Sequence, residues 1–266
     1  MKKFNYHSPK SLNESRKIFE TSDFPQYLAG GMTLIPSIKQ GLSSPTDLID
    51  LANINDINGI TENITNISVG SLVNHNEIAN SNVIKKKLPG LSNLASKIAD
   101  NAVRNKGTLG GSICNADPAA DYPSALVSLN AIINTNIREI NARDFFIDMF
   151  ETILEEGEIV TRVNFPKATF TSYEKFSSQA SKYAIVGVFF SVANQKASIA
   201  ITGASNKVFL IEEIENININ KLKEFDVNKI NFGKYDINSD INASSDYRIS
   251  LIKSLINKSI ISFIHE

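Results

Sequence analysis

Residues 108–123 read TLGGSICNADPAADYP and form the most informative stretch of the chain. Glycine tolerates positive φ and lets main-chain N–H groups approach an anion without an intervening side chain. Successive amides at Gly110-Gly111 can therefore form a concave nest for a phosphate, and Thr108 and Ser112 add hydroxyl donors beside them. Beyond the turn, Asp121 stands near the predicted N-cap of a helix that runs to Leu129.

An earlier stretch, AGGMTLIP at residues 29–36, repeats the pattern of paired glycines beside a hydroxyl. It follows a short apolar run predicted to be a buried strand. Pro36 fits the first turn of a helix that Gly41 ends. Neither turn has the spacing of a P-loop or of the Rossmann fingerprint. From the residues alone, a phosphate site and two ordinary turns both remain open.

The composition excludes several classes of protein. The 266 residues include 27 Lys and Arg against 28 Asp and Glu, so the basic excess expected of a nucleic-acid binder is absent. The single cysteine, Cys114, cannot hold an iron–sulfur cluster, and the three histidines lack zinc-ligand spacing. We therefore expect no metal site. Without a secretory segment or a run of ~20 apolar residues, we expect a cytoplasmic protein with no membrane insertion.

The remaining pattern predicts an α+β chain in which the type and order of the predicted elements change near Thr169. Before that point we expect strands at 47–51 and 64–70, and a capping box formed by Asn74 and Glu77. Beyond it, paired strands at 186–192 and 197–202, a third at 208–211 and a helix at 249–264 indicate a small α+β domain.

Both glycine motifs resemble those of the FAD-binding medium subunit of aerobic carbon monoxide dehydrogenases, in the xanthine dehydrogenase (molybdenum hydroxylase) superfamily. Weaker landmarks follow in family order: RDFF at 143–146, EGEIV at 156–160, YEK at 173–175 and YAIV at 183–186. The resemblance covers nearly the whole chain. It implies a two-part FAD-binding domain of the PCMH type over residues 1–168, split near 52–56. A C-terminal α+β domain over residues 169–266, with a three-stranded antiparallel sheet and helices, would follow.

The resemblance also implies which residues bind FAD. Those of the first turn would line the pyrophosphate: Ala29, Gly30, Gly31, Met32, Thr33 and Leu34. Those of the second wall would be Thr108, Gly110, Gly111 and Ser112, with Asp117 close by. Asp121 would hydrogen-bond the ribose or adenine side, Ile159 and Val160 would pass near the flavin ring, Lys175 would lie at its polar edge, and Tyr183 would stack near it. No catalytic residue is implied.

Several of these residues also have a simpler interpretation. Asp121 is compatible with a plain N-cap, Lys175 with a surface charge, Tyr183 with packing between domains, and Cys114 with a small packed residue. Met32 and Ser112 depart from the residues commoner in the family at their positions.

The implied function is an FAD-binding electron-transfer subunit. A molybdenum-cofactor large subunit and a [2Fe-2S] small subunit would be its partners, and an external acceptor such as a quinone or NAD would take the electrons. Two alternatives stay open. One is a stand-alone FAD-dependent oxidoreductase, which needs its own positioned acid or base. The other is an assembly subunit that has lost FAD, which the departures at Met32 and Ser112 favour slightly.

Overall fold

The computed structural model describes residues 2–215 and 217–265. The chain begins with a three-stranded parallel sheet in the order β1-β3-β2. Its elements are β1 (Asn5–His7), α1 (Leu12–Thr21), β2 (Pro25–Leu28), α2 (Leu34–Gln40) and β3 (Asp47–Asp50). Gly41 ends α2 in the left-handed conformation, with a φ of 77°, as predicted. Two 3₁₀ helices, Leu51–Asn53 and Asn55–Ile57, follow at the proposed subdomain division.

A second subdomain is built on a five-stranded antiparallel sheet in the order β4-β5-β10-β6-β7. Its strands are β4 (Ile60–Glu62), β5 (Asn66–Gly70), β6 (Ile132–Thr135), β7 (Glu139–Asn141) and β10 (Val160–Pro166). A two-stranded hairpin, β8 (Phe146–Asp148) and β9 (Glu151–Thr152), precedes β10.

The helices of this subdomain lie between its strands in sequence. They are α3 (His75–Asn80), α4 (Asn82–Lys87), α5 (Pro89–Ser96), α6 (Asn101–Arg104), α7 (Leu109–Asn115), α8 (Tyr122–Ser128) and α9 (Ala142–Phe145). The predicted capping box is confirmed, since Asn74 accepts from the Glu77 amide and Glu77 accepts from the Asn74 amide. The apolar spacing predicts one helical stripe of Leu91, Leu94, Ala95 and Ile98. The first three are fully buried on α5, whereas Ile98 lies beyond the end of that helix and is partly buried.

The C-terminal sheet has four strands, whereas the sequence predicted three. Its antiparallel order follows the chain: β11 (Phe170–Ser177), β12 (Ala184–Ala193), β13 (Lys196–Thr202) and β14 (Phe209–Leu210). The sequence did not reveal β11, because polar residues interrupt any regular alternation along it. The chain leaves one sheet at Pro166 and enters the next at Phe170, so we propose a domain boundary near residue 168.

Helices cover both faces of this sheet. Phe189 faces the core of the second subdomain, whereas its neighbours Val188 and Phe190 face a separate core. That second core contains Ile252 and Ile256 of the long helix α10 (Ser245–Ile264), as the spacing of its isoleucines predicts. Three 3₁₀ helices, Ile219–Glu224, Val227–Lys229 and Phe232–Lys234, complete the C-terminal domain.

Candidate cofactor site

A cleft of about 800 Å³ lies where the three parts of the fold meet. That volume falls within the ~300–1,000 Å³ typical of small-molecule sites. Its walls come from residues 26–34 of the first subdomain, residues 107–121 and 154–160 of the second, and residues 181–183 of the C-terminal domain. Every predicted site residue lines this cleft except Lys175.

The first glycine turn carries amides without partners. Gly31 adopts a φ of 71°, a left-handed conformation that favours glycine. The carbonyls of Gly31 and Thr33 accept the hydrogen bonds that begin α2. The amides of Gly31, Met32 and Thr33, in contrast, meet no acceptor within the described part of the chain. Such amides on a cleft wall suit an anionic oxygen ligand.

The second glycine turn differs from the amide nest that the sequence suggested. The Leu109 amide donates to the Val73 carbonyl, and the Gly110 amide donates to the Ser71 carbonyl at 2.8 Å. The Gly111 amide donates to the Thr108 hydroxyl at 3.1 Å. A Cβ at Gly110 would lie 2.6 Å from the Ser71 Cβ, so this glycine is needed for close packing. The second wall therefore offers a smooth surface and hydroxyls, because its amides are already bonded.

The two turns are in direct contact. The Gly30 backbone packs on the Lys106 carbonyl and the Gly107 Cα so closely that a side chain at Gly30 would overlap them. A Cβ at Gly111 would lie 3.6 Å from the Ala29 Cβ. Residues of both turns line the cleft, so the free amides of the first turn lie next to the second turn.

Asp121 and Lys175 form a buried ion pair at the cleft. The Lys175 Nζ lies 2.8 Å from Asp121 Oδ1 and 3.0 Å from Oδ2, and the Tyr173 hydroxyl donates to the same carboxylate. Burial raises the pKa of Asp121, against the opposing effect of Lys175. Asp121 lines the cleft and Lys175 stands behind it.

This arrangement corrects two sequence-based expectations. The Lys175 side chain is only 3% exposed, so it is not a surface charge. Asp121 precedes α8 but forms no side-chain cap. The resemblance placed Asp121 at the ribose or adenine side and Lys175 at the flavin edge; the two side chains contact each other directly, and both roles stay predictions.

An apolar wall carries Ile159 and Val160, both 3% exposed. Leu154 and Cys114 line the same cleft. Cys114 is exposed, whereas the sequence suggested a small packed residue. Although Cys114 keeps an exposed surface, it lies inside the cleft with protein on several sides. This surrounding protein, with a smaller effect of Glu158, raises the pKa of the thiol to about 12. The thiol is therefore neutral at physiological pH.

Tyr183 forms the rim of the cleft on the C-terminal domain and is 45% exposed. It lies beside Asp117, and burial, followed by the charge of Asp117, raises the pKa of the Tyr183 hydroxyl. The preceding residue, Lys182, has a φ of 61°, which turns the chain so that Tyr183 faces the cleft.

Sequence reasoning missed two buried titratable residues of the cleft. His75 is 4% exposed and Glu158 is 7% exposed, and Glu158 pairs with Arg138 at 2.8 Å. The only sequence signal for His75 was its position directly after the helix-capping Asn74. Among the described residues, no group of His, Cys, Asp and Glu could hold a metal ion.

The unpartnered amides, the hydroxyl-bearing second turn and the apolar side fit a dinucleotide that combines a diphosphate with a planar ring. Residues 2–168 match the family described as the FAD binding domain in molybdopterin dehydrogenase. The chain belongs to this family. FAD is accordingly its cofactor.

Relatives of this FAD-binding subunit are similar along most of their length. The glyceraldehyde dehydrogenase medium chain of Sulfolobus acidocaldarius is 34% identical over 256 residues, covering 92% of this chain and 90% of that one. The carbon monoxide dehydrogenase medium chain of Afipia carboxidovorans is 31% identical over 223 residues, covering 79% and 77%. Quinoline 2-oxidoreductase from Pseudomonas putida 86 superposes with a TM-score of 0.88 at 26% identity, covering 98% of each chain.

These similarities make the protein a flavoprotein subunit of a multi-subunit oxidoreductase of the carbon monoxide dehydrogenase and xanthine dehydrogenase type. In the part of the chain that the structure describes, no helix is both long and apolar enough to cross a membrane.

Proposed function

We propose that this FAD-binding subunit relays electrons from the iron–sulfur clusters of a [2Fe-2S] small subunit to an external acceptor such as a quinone or NAD. A large subunit with a molybdenum cofactor would oxidise the substrate. FAD supplies the redox chemistry, while the protein sets its position and surroundings. The observation that carries this proposal is a cleft with three unpartnered amides on one wall, in which the buried acidic and basic side chains among the described residues already contact other side chains.

The amides of Gly31, Met32 and Thr33 would bind the diphosphate. The smooth wall of Gly110 and Gly111 lets the cofactor approach the backbone closely. These contacts use the main chain, so the unusual Met32 is compatible with FAD binding.

The Asp121–Lys175 pair would act at one end of the cofactor as a unit. Asp121 faces the cleft and can accept a hydrogen bond from an N–H or O–H group. Lys175 holds that carboxylate in place and neutralises it from behind. Ile159 and Val160 would cover an apolar part of the cofactor, and Tyr183 and Asp117 would close the rim.

A stand-alone oxidoreductase would need an uncommitted acid or base beside the flavin. Among the described residues, the buried acidic and basic side chains of the cleft each contact another side chain, whereas Lys182 is exposed at the rim. Asp121 is paired with Lys175, Glu158 is paired with Arg138, and His75 contacts Tyr122. This arrangement favours a relay over a separate substrate reaction in this chain.

The test uses the complex that purifies through a tag on this chain. One half of the preparation is depleted of FAD, and the other half keeps it. Both are reduced with dithionite, and each is mixed with menadione or NAD in a stopped-flow instrument. We expect the depleted complex to keep its iron–sulfur centres reduced at least about tenfold longer than the FAD-loaded complex, because its route to the acceptor is interrupted.

Equal reoxidation rates in the two halves would refute the relay. A yellow chain that purifies without partners and reduces the acceptor with an organic substrate would support the stand-alone enzyme. A complex that contains no FAD and takes none up would refute the placement of FAD in this cleft.

A further inference from the structure

His75 lies at the meeting point of the two glycine turns. It begins α3, and its amide donates to the Gly107 carbonyl at 3.0 Å. A Cβ at Gly107 would lie 2.6 Å from the His75 Nε2, so the imidazole rests directly on this glycine. Gly107 in turn packs against Gly30. His75 lines the cleft although only 4% of it is exposed.

Tyr122 fixes which ring nitrogen carries the proton. The Tyr122 hydroxyl lies 3.1 Å from the His75 Nδ1 and has no other partner among the described contacts. Burial raises the pKa of this hydroxyl well above its usual value, so it stays protonated. A buried hydroxyl donates where an acceptor is available. The hydroxyl therefore donates to Nδ1, and the neutral ring carries its proton on Nε2.

The ring also stays uncharged. Burial, and to a smaller degree the positive charge of Arg104, lowers the pKa of His75 to about 4. Within the described residues, the Nε2 group has no acceptor. This nitrogen is not among the buried polar atoms that lack a partner, so it is accessible from the cleft that His75 lines. A ligand oxygen in the cleft can therefore supply its acceptor.

We infer that the Nε2–H group of His75 donates a hydrogen bond to an oxygen of bound FAD beside the contact between Gly30 and Gly107. Tyr122 acts as a positioning residue that holds the donor tautomer. The inference rests on the proposed location of FAD in this cleft. A neutral donor suits a phosphate oxygen, a ribityl hydroxyl and a flavin carbonyl alike, so the acceptor is an oxygen on either half of the cofactor.

The test measures FAD affinity of the FAD-depleted protein by quenching of flavin fluorescence. His75→Leu removes the donor, His75→Gln keeps an N–H donor, and His265→Leu is the matched control at an exposed histidine near the C-terminus. We expect about tenfold weaker binding for His75→Leu, within about threefold of wild type for His75→Gln, and no change for the control. The FAD affinity of Tyr122→Phe should lie between the affinities of the two His75 variants.

ADP distinguishes the two possible acceptors. It carries the diphosphate without the flavin and is titrated in competition with FAD. If His75→Leu weakens ADP as much as FAD, the acceptor lies on the ADP half, which carries the diphosphate. If ADP binds both proteins equally while FAD does not, the acceptor lies on the ribityl or flavin half.

A direct readout is available if His75→Leu does not fold. The ¹⁵N shifts of the wild-type histidines report the tautomer, and we expect His75 to show Nε2–H in the free protein and a changed Nε2 shift with FAD. Equal FAD affinities of folded wild type and His75→Leu, or an Nδ1–H tautomer, would overturn the inference and leave FAD binding intact. Failure of the wild type to bind FAD would instead refute the proposed function.

Discussion

Replacing Lys175 by Met removes one half of the buried pair at the cleft. The Asp121 carboxylate would remain, 5% exposed, with the Tyr173 hydroxyl as its remaining side-chain partner. Removing one partner of a buried ion pair costs about 3–5 kcal/mol, because the other charge is left uncompensated. The pair joins α8 to β11, so the loss should appear as a lower free energy of unfolding of the chain.

The loss should depend on pH in a defined direction. Burial already raises the pKa of Asp121, and Lys175 opposes that rise, so Lys175→Met raises the pKa further. A carboxyl with a raised folded-state pKa binds its proton more tightly when folded. The contribution of Asp121 to the free energy of unfolding is therefore fully present below its unfolded-state pKa of ~3.9. It is lost as pH rises through the folded-state pKa. The variant should be closer to wild type at pH 5 than at pH 8.

Urea denaturation followed by circular dichroism at pH 5 and pH 8 measures the free energy of unfolding of the variant and of wild type. Lys258→Met is the matched control, because Lys258 pairs with Glu174 at 2.8 Å but is 65% exposed, and such pairs contribute less than about 1 kcal/mol. Adding Asp121→Asn to Lys175→Met should remove the pH dependence. The reasoning fails if Lys175→Met costs no more than Lys258→Met, or if its cost does not grow with pH.

Three further predictions concern the cleft. Gly30→Ala places a methyl group into the Lys106 carbonyl, so FAD titration should show affinity reduced by about tenfold or more; unchanged affinity would contradict the contact between the turns. Met32→Ala should bind FAD within about threefold of wild type, since only its amide is used, and a larger loss would show a side-chain role. Cys114, with a thiol pKa of about 12, should react with iodoacetamide at pH 8 at least about a hundredfold more slowly than a free cysteine of pKa ~8.5, and FAD should block it further. Mass spectrometry measures the rate, and fast alkylation would contradict the raised pKa.

Local sequence signals predicted many elements of the fold. The capping box at Asn74 and the glycine that ends α2 act within one turn of chain, so their residues alone specify them. Strand β11 could not be predicted this way. Its residues serve two cores, with Tyr173 facing the second subdomain and Phe170 facing α10, so no alternation marks it.

The site was predictable in its location but less so in its chemistry. The family resemblance predicted that the two glycine turns bind one cofactor, which requires them to lie close together. In the structure they are in contact. Which amides stay free depends on partners distant in sequence, such as Ser71 below Gly110, and no local pattern reports them. The burial of Lys175 and the tautomer of His75 likewise depend on residues 54 and 47 positions away.

A structure of the FAD-bound protein, at a resolution that separates the two phosphates, would show which glycine turn binds the diphosphate. We expect phosphate oxygens about 3 Å from the amide nitrogens of Gly31, Met32 and Thr33, with the second turn keeping its bonds to Ser71 and Val73. A diphosphate bound by the amides of Gly110 and Gly111, or outside the cleft, would contradict this expectation.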